Sequence, residues 1–365
     1  MPTRLIPLLF LFSLFGFSQN QFTLSGSIYE SKGQETLIGA NVIFPELNTG
    51  TISNEYGFYS ITLPKGTYNF TVSYLGYSTL TEIIILNQNL TRNFILGAAI
   101  DTLDEIVLET DLELVKIKTP QMSVNALNAN TIKQIPVVFG EADVVKAITL
   151  LPGISNGGEG TGGFNVRGGS NDQNLILLDE ATLFNSSHLF GFFSVFNPDA
   201  IKNLKLYKGG IPSKYGGRVS SVLDIYQKEG NKNEFHVNGG IGLVASRILL
   251  EGPLEKEKGS FLFGGRSTYA HFFLPLFDID NIAYFYDLNT KLSYSIDADN
   301  KIYLSAYFGR DVFNVSNSFE NTYGNTVVNF RWNHLFSDQL FSNLSLIYSD
   351  YYYGLDLNFV GFEWN

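Results

Sequence analysis

Between Phe22 and Leu96, apolar and polar positions alternate in short runs broken by turn residues. "FTLSGSIYE", "LIGANVIFPE", "FYSITLP", "TYNFTVSYLGY" and "TEIIIL" each read as a strand, because side chains on a strand point to opposite faces at every step. The alternation is cleanest in the fourth: Tyr68, Phe70, Val72 and Tyr74 share one face, and Asn69, Thr71 and Ser73 the other. "NEYGFYS" and "LPKGTY" supply tight turns between strands. Short strands at this spacing predict a small β-sandwich, with nothing catalytic in it and a default role as spacer or docking module.

From Ile100 to about Lys228 the period changes repeatedly. "GEADVVKAITLLPG" puts Val144, Val145, Ile148 and Leu151 on one helical face, and Pro152–Gly153 ends that helix. A glycine-rich stretch follows, and then "NLILLDE", which runs like a buried strand. "DAIKNLKLYKGGIPSKYGGRVSSVLDIY" reads as strand, turn, strand. The apolar run "HLFGFFSVF" (His188–Phe196) fits either the core of this region or a surface reaching towards a ligand.

Beyond Glu234 the segments become long and two-sided. "FHVNGGIGLVASRILLEG", "FLFGGRSTYAHFFLPLF", "AYFYDLNTKLSYSID", "KIYLSAYFGRDVFNV", "TVVNFRWNHLF" and "LFSNLSLIYSDYYYGLDL" follow one another. Short turns such as Ala298–Asn300 alternate with longer loops such as "SNSFENTYGN". Long strands, aromatics near their ends, and turns alternating short and long predict a transmembrane β-barrel. A water-soluble all-β domain usually has shorter strands.

Composition sharpens this. Tyr and Phe number 20 and 31 against 2 Trp and 2 Met, a bias that suits pleated surfaces. The chain has no cysteine, which excludes a disulfide framework and any thiolate metal site. A net charge of −11 with no basic cluster argues against nucleic-acid binding. At the N-terminus Arg4 precedes an apolar run from Leu5 to Phe17, too short to span a bilayer and suited to an export signal ending near Gln19. No later stretch reaches the roughly 18 apolar residues that a membrane-crossing helix needs.

Several motifs tempt and fail on context. Gly158–Gly163 satisfies G-x-G-x-x-G, and Asp179 follows as a dinucleotide site would want. A helix-like segment precedes it and a strand follows, the reverse of a dinucleotide-binding turn. "GISNG" places Ser155 in a nucleophile-elbow pattern, with Asp179 and His188 downstream. Ser155 follows a helix instead of a strand, so a hydrolase is not expected. His188, His236, His271 and His334 are scattered without metal-ligand spacing. "DADN" (Asp297–Asn300) opens like a calcium loop, but Lys301 and Ile302 replace the residues that loop requires. No metal, no cofactor and no enzymatic activity are expected.

The quoted segments carry a family resemblance. "SGSI", "LIGANV", "GTISNEYGFYSITLPKGTY" and "YLGY" resemble the carboxypeptidase-regulatory-like domain that precedes many Bacteroidetes outer-membrane receptors. "LPGI", "FNVRGGSNDQNLILLDEATLFN" and "FGFFSVFNPDAIKNLKLYKGGIPSKYGGRVSSVLDI", with "EGPL" and "GGRSTY" after them, resemble the plug and first barrel strands of TonB-dependent receptors. In two places the chain departs from that pattern. Where the family often shows Asp-Gly after the plug strand, Asp179 is followed by Glu180-Ala181-Thr182, and the fingerprint of the glycan-importing branch is not matched well.

The resemblance implies a signal peptide over 1–19, a sandwich over 20–98, a TonB-box-like linker over 99–110, a plug over 111–228 and part of a barrel over 229–365. It implies an outer-membrane receptor that binds an extracellular nutrient (siderophore, peptide or glycan) and imports it with energy from TonB. A non-transporting adhesin or sensor, or a non-functional receptor fragment, is the alternative. Leu103, Asp104, Glu105, Ile106 and Val107 would pair with TonB by strand addition, though an ordinary linker strand has the same pattern. Arg167, Gly168, Gly169 and Asp179 would form the plug gate. The expectation for Arg167 is burial against barrel carboxylates, its alternative a surface arginine in a mobile loop. Six barrel-like segments precede Asn365, whereas plugged transporters have about 22 strands, so the chain is expected to be the N-terminal part of a longer receptor.

Overall fold

The structure, a computed structural model, describes residues 21–33, 35–54, 56–74, 76–98, 123–135, 142–157, 162–273, 282–315, 319–359 and 362–364. The expected export signal and the TonB-box-like segment lie outside them. The chain divides into two compact units.

The first unit is the sandwich. Its strands are β1 (Gln21–Glu30), β2 (Asn41–Phe44), β3 (Thr49–Ile52), β4 (Phe58–Pro64), β5 (Gly66–Ser73), β6 (Leu80–Leu86), β7 (Leu90–Thr91) and β8 (Phe94–Leu96). One sheet runs β4-β1-β7 with β8 also on β1, and the other runs β3-β2-β5-β6. The inward faces meet as the alternation predicts: Tyr68, Phe70 and Val72 of β5 are buried with Leu24, Ile28, Val42, Phe44 and Ile84. Phe44, Phe70 and Phe94 stack in series, with centroids 5.8 and 5.2 Å apart, so the core is held by offset aromatic packing.

The second unit contains the plug and the barrel strands. The plug elements are β9 (Val124–Asn128), α1 (Ala129–Gln134), α2 (Val144–Thr149), β10 (Ile154–Asn156), β11 (Phe164–Val166), β12 (Asn174–Leu178), β13 (Ala181–Thr182), β14 (Ser187–His188), β15 (Phe193–Ser194), β16 (Ile201–Tyr207) and β17 (Ser221–Gln227). A five-stranded mixed sheet, β13-β12-β17-β16-β9, forms its centre, with β12 and β17 parallel and the other pairs antiparallel. Every residue of β17 is buried, as a central strand covered on both faces must be. Helix α2 starts on Asp143, whose carboxylate accepts the Lys146 N–H at 3.0 Å. It buries Val144, Val145, Ala147 and Ile148 against the sheet, and Leu151 packs beside them.

The barrel strands are β18 (His236–Ile241), β19 (Ala245–Glu255), β20 (Gly259–Thr268), β21 (Ile282–Ser295), β22 (Asn300–Val315), β23 (Phe319–Ser337), β24 (Leu340–Phe359) and β25 (Phe362–Trp364). They neighbour one another in chain order in a single sheet. The sequence pattern suggests six segments, and eight strands form among the described residues. "FHVNGGIGLVASRILLEG" breaks into β18 and β19 at a turn closed by the Gly242 N–H to Ala245 O bond, 2.9 Å. Most of the "SNSFENTYGN" loop is instead strand, because the ladder between β22 and β23 continues to Val315–Phe319. Asp297–Asn300 is the polar hairpin turn expected, with the Asp297 carboxylate accepting the Asp299 and Asn300 N–H groups at 2.9 and 2.8 Å.

One face of these strands is polar and buried, the other apolar and exposed. On β21, Asp287, Asn289, Lys291 and Ser293 are buried while Leu288 is exposed. On β23, Asn321, Asn325, Asn329, Arg331 and Asn333 are buried while Phe330 and Trp332 lie on the exposed side. Polar inside and apolar outside is the pattern of a barrel wall in lipid. No helix among the described residues is long and apolar enough to cross a membrane.

The seam between plug and barrel wall

Three plug segments make the contacts from which a function can be read. The first is the Arg167 turn. The Gly169 N–H bonds Val166 O at 2.9 Å, with Arg167 at φ 50° and Gly168 at φ 82° between them. Two left-handed residues in succession make a type I′ turn, which glycine enters without steric cost. Gly169 is needed for space, since a Cβ there would meet the Ser220 Oγ at 2.3 Å and Cβ at 2.7 Å. Arg167 itself is exposed, and its Nη2 donates to the Ser123 Oγ at 2.8 Å within the plug. Among the described residues no wall carboxylate pairs with it, and in this chain the guanidinium is exposed, the alternative that the sequence also left open.

The second segment is the turn between β12 and β13. Leu178 pairs with Ala181, so Asp179 and Glu180 form a two-residue hairpin loop, at φ 47° and 73°. Asp179 tolerates the left-handed region, but Glu180 stands where glycine fits best, at a cost of about 1–2 kcal/mol. The barrel wall holds both residues. Asp179 is buried and accepts Lys291 Nζ at 3.0 Å, the Gln227 N–H at 3.1 Å and Gln227 Nε2 at 3.2 Å. Lys291 Nζ also donates to Gln227 O at 3.0 Å, and Asn329 Nδ2 donates to Asp179 O. Glu180 lies 3.5 Å from Arg331 and accepts the Ser345 hydroxyl. At this turn the plug brings the carboxylate and the wall the cation, opposite in sign to the pairing expected of Arg167.

The third segment surrounds His188. Its Nδ1 lies 2.6 Å from Asp311 Oδ2 and its Nε2 3.2 Å from Asp287 Oδ2, with the Tyr307 hydroxyl also 3.2 Å from Nε2. The ring stacks on Phe285 at 4.2 Å and 5°. Arg266 donates through Nε and Nη2 to Asp287 Oδ2 at 2.8 and 2.6 Å, and through Nη2 to Ser194 O at 2.7 Å. Burial alone would press the His188 pKa down. The Asp311 and Asp287 carboxylates outweigh it and hold the imidazole above its ordinary value.

Leu189 (φ 45°) and Phe190 (φ 56°) follow in the left-handed region, where bulky residues are outliers costing of order 1–3 kcal/mol each. Asp311 Oδ1 accepts the Leu189 N–H at 2.8 Å, and the Tyr323 hydroxyl accepts the Phe190 N–H at 3.1 Å. Of the "HLFGFFSVF" run, His188, Phe193, Val195 and Phe196 belong to the buried interior, and Phe192 is 56% exposed.

Of the residues singled out from sequence, Asp179 lies on the seam, Arg167, Gly168 and Gly169 form a turn within the plug, and 103–107 fall outside the described residues. The His188 cluster was missed. His188 and Asp311 are 123 positions apart, so no spacing rule joins them. A usable signal was present in β21, where Asp287, Asn289, Lys291 and Ser293 stand at alternate positions on one face. Ser155 is exposed on β10, while Asp179 and His188 are engaged with Lys291 and with Asp287 and Asp311, so no nucleophile–base arrangement forms around it.

Comparison with known proteins agrees with this architecture. Residues 24–108 match the CarboxypepD_reg-like domain and residues 116–222 the TonB-dependent Receptor Plug Domain. Over 237 residues the chain is 29% identical to the TonB-dependent receptor SusC of Bacteroides thetaiotaomicron, which covers 60% of this chain and 22% of that protein. The crystal structure of the siderophore receptor PirA from Acinetobacter baumannii superposes with a TM-score of 0.50 at 18% identity, over 68% of this chain and 42% of that one, a likeness of fold. The chain therefore spans less than half the length of either. Both are receptors. With a CarboxypepD_reg-like domain, a TonB-dependent Receptor Plug Domain and a wall that is polar within and apolar without, the chain is similar in sequence and in order of parts to TonB-dependent receptors of the Bacteroidetes type.

Proposed function

We propose that this chain is the sandwich, plug and first wall strands of an importer that binds a small nutrient outside the cell and admits it when TonB displaces the plug. The observation that carries the reading is the seam, where a folded plug meets the wall through discrete buried polar pairs. Asp179–Lys291 and His188–Asp287–Asp311 are polar contacts that can break and re-form, set among apolar ones such as Ala200 with Leu249 and Leu262. In barrels of this kind the short turns face the periplasm. The hairpin turns after β19, β21 and β23 share one end of the sheet. Lys291 and Arg331 lie towards that end and Asp311 towards the other, so Asp179 and Glu180 form an inner contact and His188 an outer one.

Leu103, Asp104, Glu105, Ile106 and Val107 would supply the strand that TonB grips, its backbone giving affinity and its side chains tuning it. The ligand class is a siderophore, peptide or glycan. Uptake by cells carrying the receptor is the test, with ferric siderophores, short peptides and oligosaccharides as probes. Uptake that needs the proton-motive force and is lost on deleting Leu103–Val107, with binding retained, is expected. Undiminished uptake by that deletion sinks the TonB assignment, and binding without any energised uptake favours an adhesin or sensor.

A further inference from the structure

We propose that His188 is a proton-operated latch, which grips the strained plug segment Leu189–Gly191 to the barrel wall only while its imidazole carries both ring protons. Two donors fit the geometry best; a neutral ring with its proton on Nδ1 would leave Nε2 to the Tyr307 hydroxyl and to Asp287. Both ring nitrogens face carboxylate oxygens, Asp311 at 2.6 Å and Asp287 at 3.2 Å. A neutral imidazole has a single N–H and would turn a lone pair onto one of them.

Charge balance points the same way. The groups facing the ring are Arg266 from β20, Asp287 from β21, Tyr307 and Asp311 from β22, and Tyr323 from β23 beyond Asp311. On the plug side Asp143 accepts the Ser194 N–H at 3.0 Å, and Lys146 donates to Phe192 O at 2.9 Å. With His188 protonated, the cluster around the ring holds two cations, His188 and Arg266, against two carboxylates. Without that proton it keeps an uncompensated buried negative charge.

Asp311 joins the proton to the backbone. Its Oδ2 meets the imidazole and its Oδ1 holds the Leu189 N–H at 2.8 Å, at the first of two non-glycine residues forced to positive φ. Loss of the ring proton removes the positive charge that Asp311 is paired with, so the carboxylate that restrains the strained segment is held less firmly. Because the pKa is raised in the latched state, the latch is fully held below the ordinary imidazole pKa of about 6.5 and is lost as pH rises through the higher latched value. In that window the ratio of latched to released plug falls by up to about tenfold per pH unit, the limit for one linked proton.

These 365 residues contain no cysteine, so Phe192→Cys, in a receptor in outer membranes freed of any other cysteine, places one spin label next to the segment. Between pH 6 and 9 the immobile fraction is expected to fall with that slope. In a His188→Gln background the slope is expected to vanish, and in Tyr307→Phe, which keeps every charge, it is expected to remain. A flat profile in the parent, or an unchanged slope in His188→Gln, overturns the latch. If His188→Gln does not assemble, Asp311→Asn replaces it. That variant keeps the imidazole and removes the charged grip, so the slope must shrink, and an unchanged slope overturns the latch equally.

Discussion

Removing Asp179 tests whether the inner contact holds the plug. In Asp179→Ala the Lys291 ammonium, whose side chain is only 4% exposed, keeps Gln227 O and loses its carboxylate. Breaking a buried pair by deleting one partner costs about 3–5 kcal/mol. The Gln227 N–H and Nε2 lose their acceptors as well, and alanine fits φ 47° less well than aspartate, so about 4 kcal/mol is expected. At about 1.4 kcal/mol per decade this is a several-hundred-fold rise in the opening constant of β12 and β17, readable as lost amide-exchange protection over Asn174–Leu178 and Ser221–Gln227. Lys291→Met leaves Asp179 with its two Gln227 donors and should cost less. The double variant should cost well under the sum, giving a coupling of at least about 2 kcal/mol. Asp179→Asn separates charge from geometry, since it keeps an acceptor and tolerates positive φ. A coupling below about 0.5 kcal/mol, with Asp179→Asn as stable as the parent, would refute the reasoning: the pair would then be hydrated and the seam held by packing alone.

Other outcomes follow from named contacts. Gly169→Ala drives a Cβ against Ser220 and should lower plug stability to urea by about 1–3 kcal/mol; Ser220→Gly, which clears both clashing atoms, should restore part of it. Glu180→Gly should exceed Glu180→Ala in stability by about 1 kcal/mol, because both lose the Arg331 and Ser345 contacts and only glycine relieves the left-handed strain. In the sandwich, Phe70→Ala opens a cavity between Phe44 and Phe94 and should cost about 3–5 kcal/mol, seen as lost exchange protection confined to β1–β8. Equal protection there would mean that the stacked rings repack freely.

Local chemistry settled much of this protein in advance. Period-two alternation named the sandwich strands, since a strand buried on one face must alternate; Tyr68, Phe70 and Val72 point inward as read. Pro152–Gly153 marked the end of the helical face, and Asp297–Asn300 the hairpin turn, because each acts through its own backbone. Counting wall strands went less well: a glycine turn at 242–244 hid inside an apolar run, and a polar stretch at 319–325 proved to be strand because its inward face meets a polar interior rather than lipid. Only the tertiary structure could join His188 to Asp287 and Asp311, or Asp179 to Lys291. Those pairs arise where a plug loop meets a wall strand more than 95 residues away, as separations of 99, 123 and 112 positions show. Along the chain Arg167 drew attention for its charge among glycines, and it stayed at the surface. Which charge is buried depends on which finds a partner on the facing wall, and the energy of that pairing is written in neither segment alone.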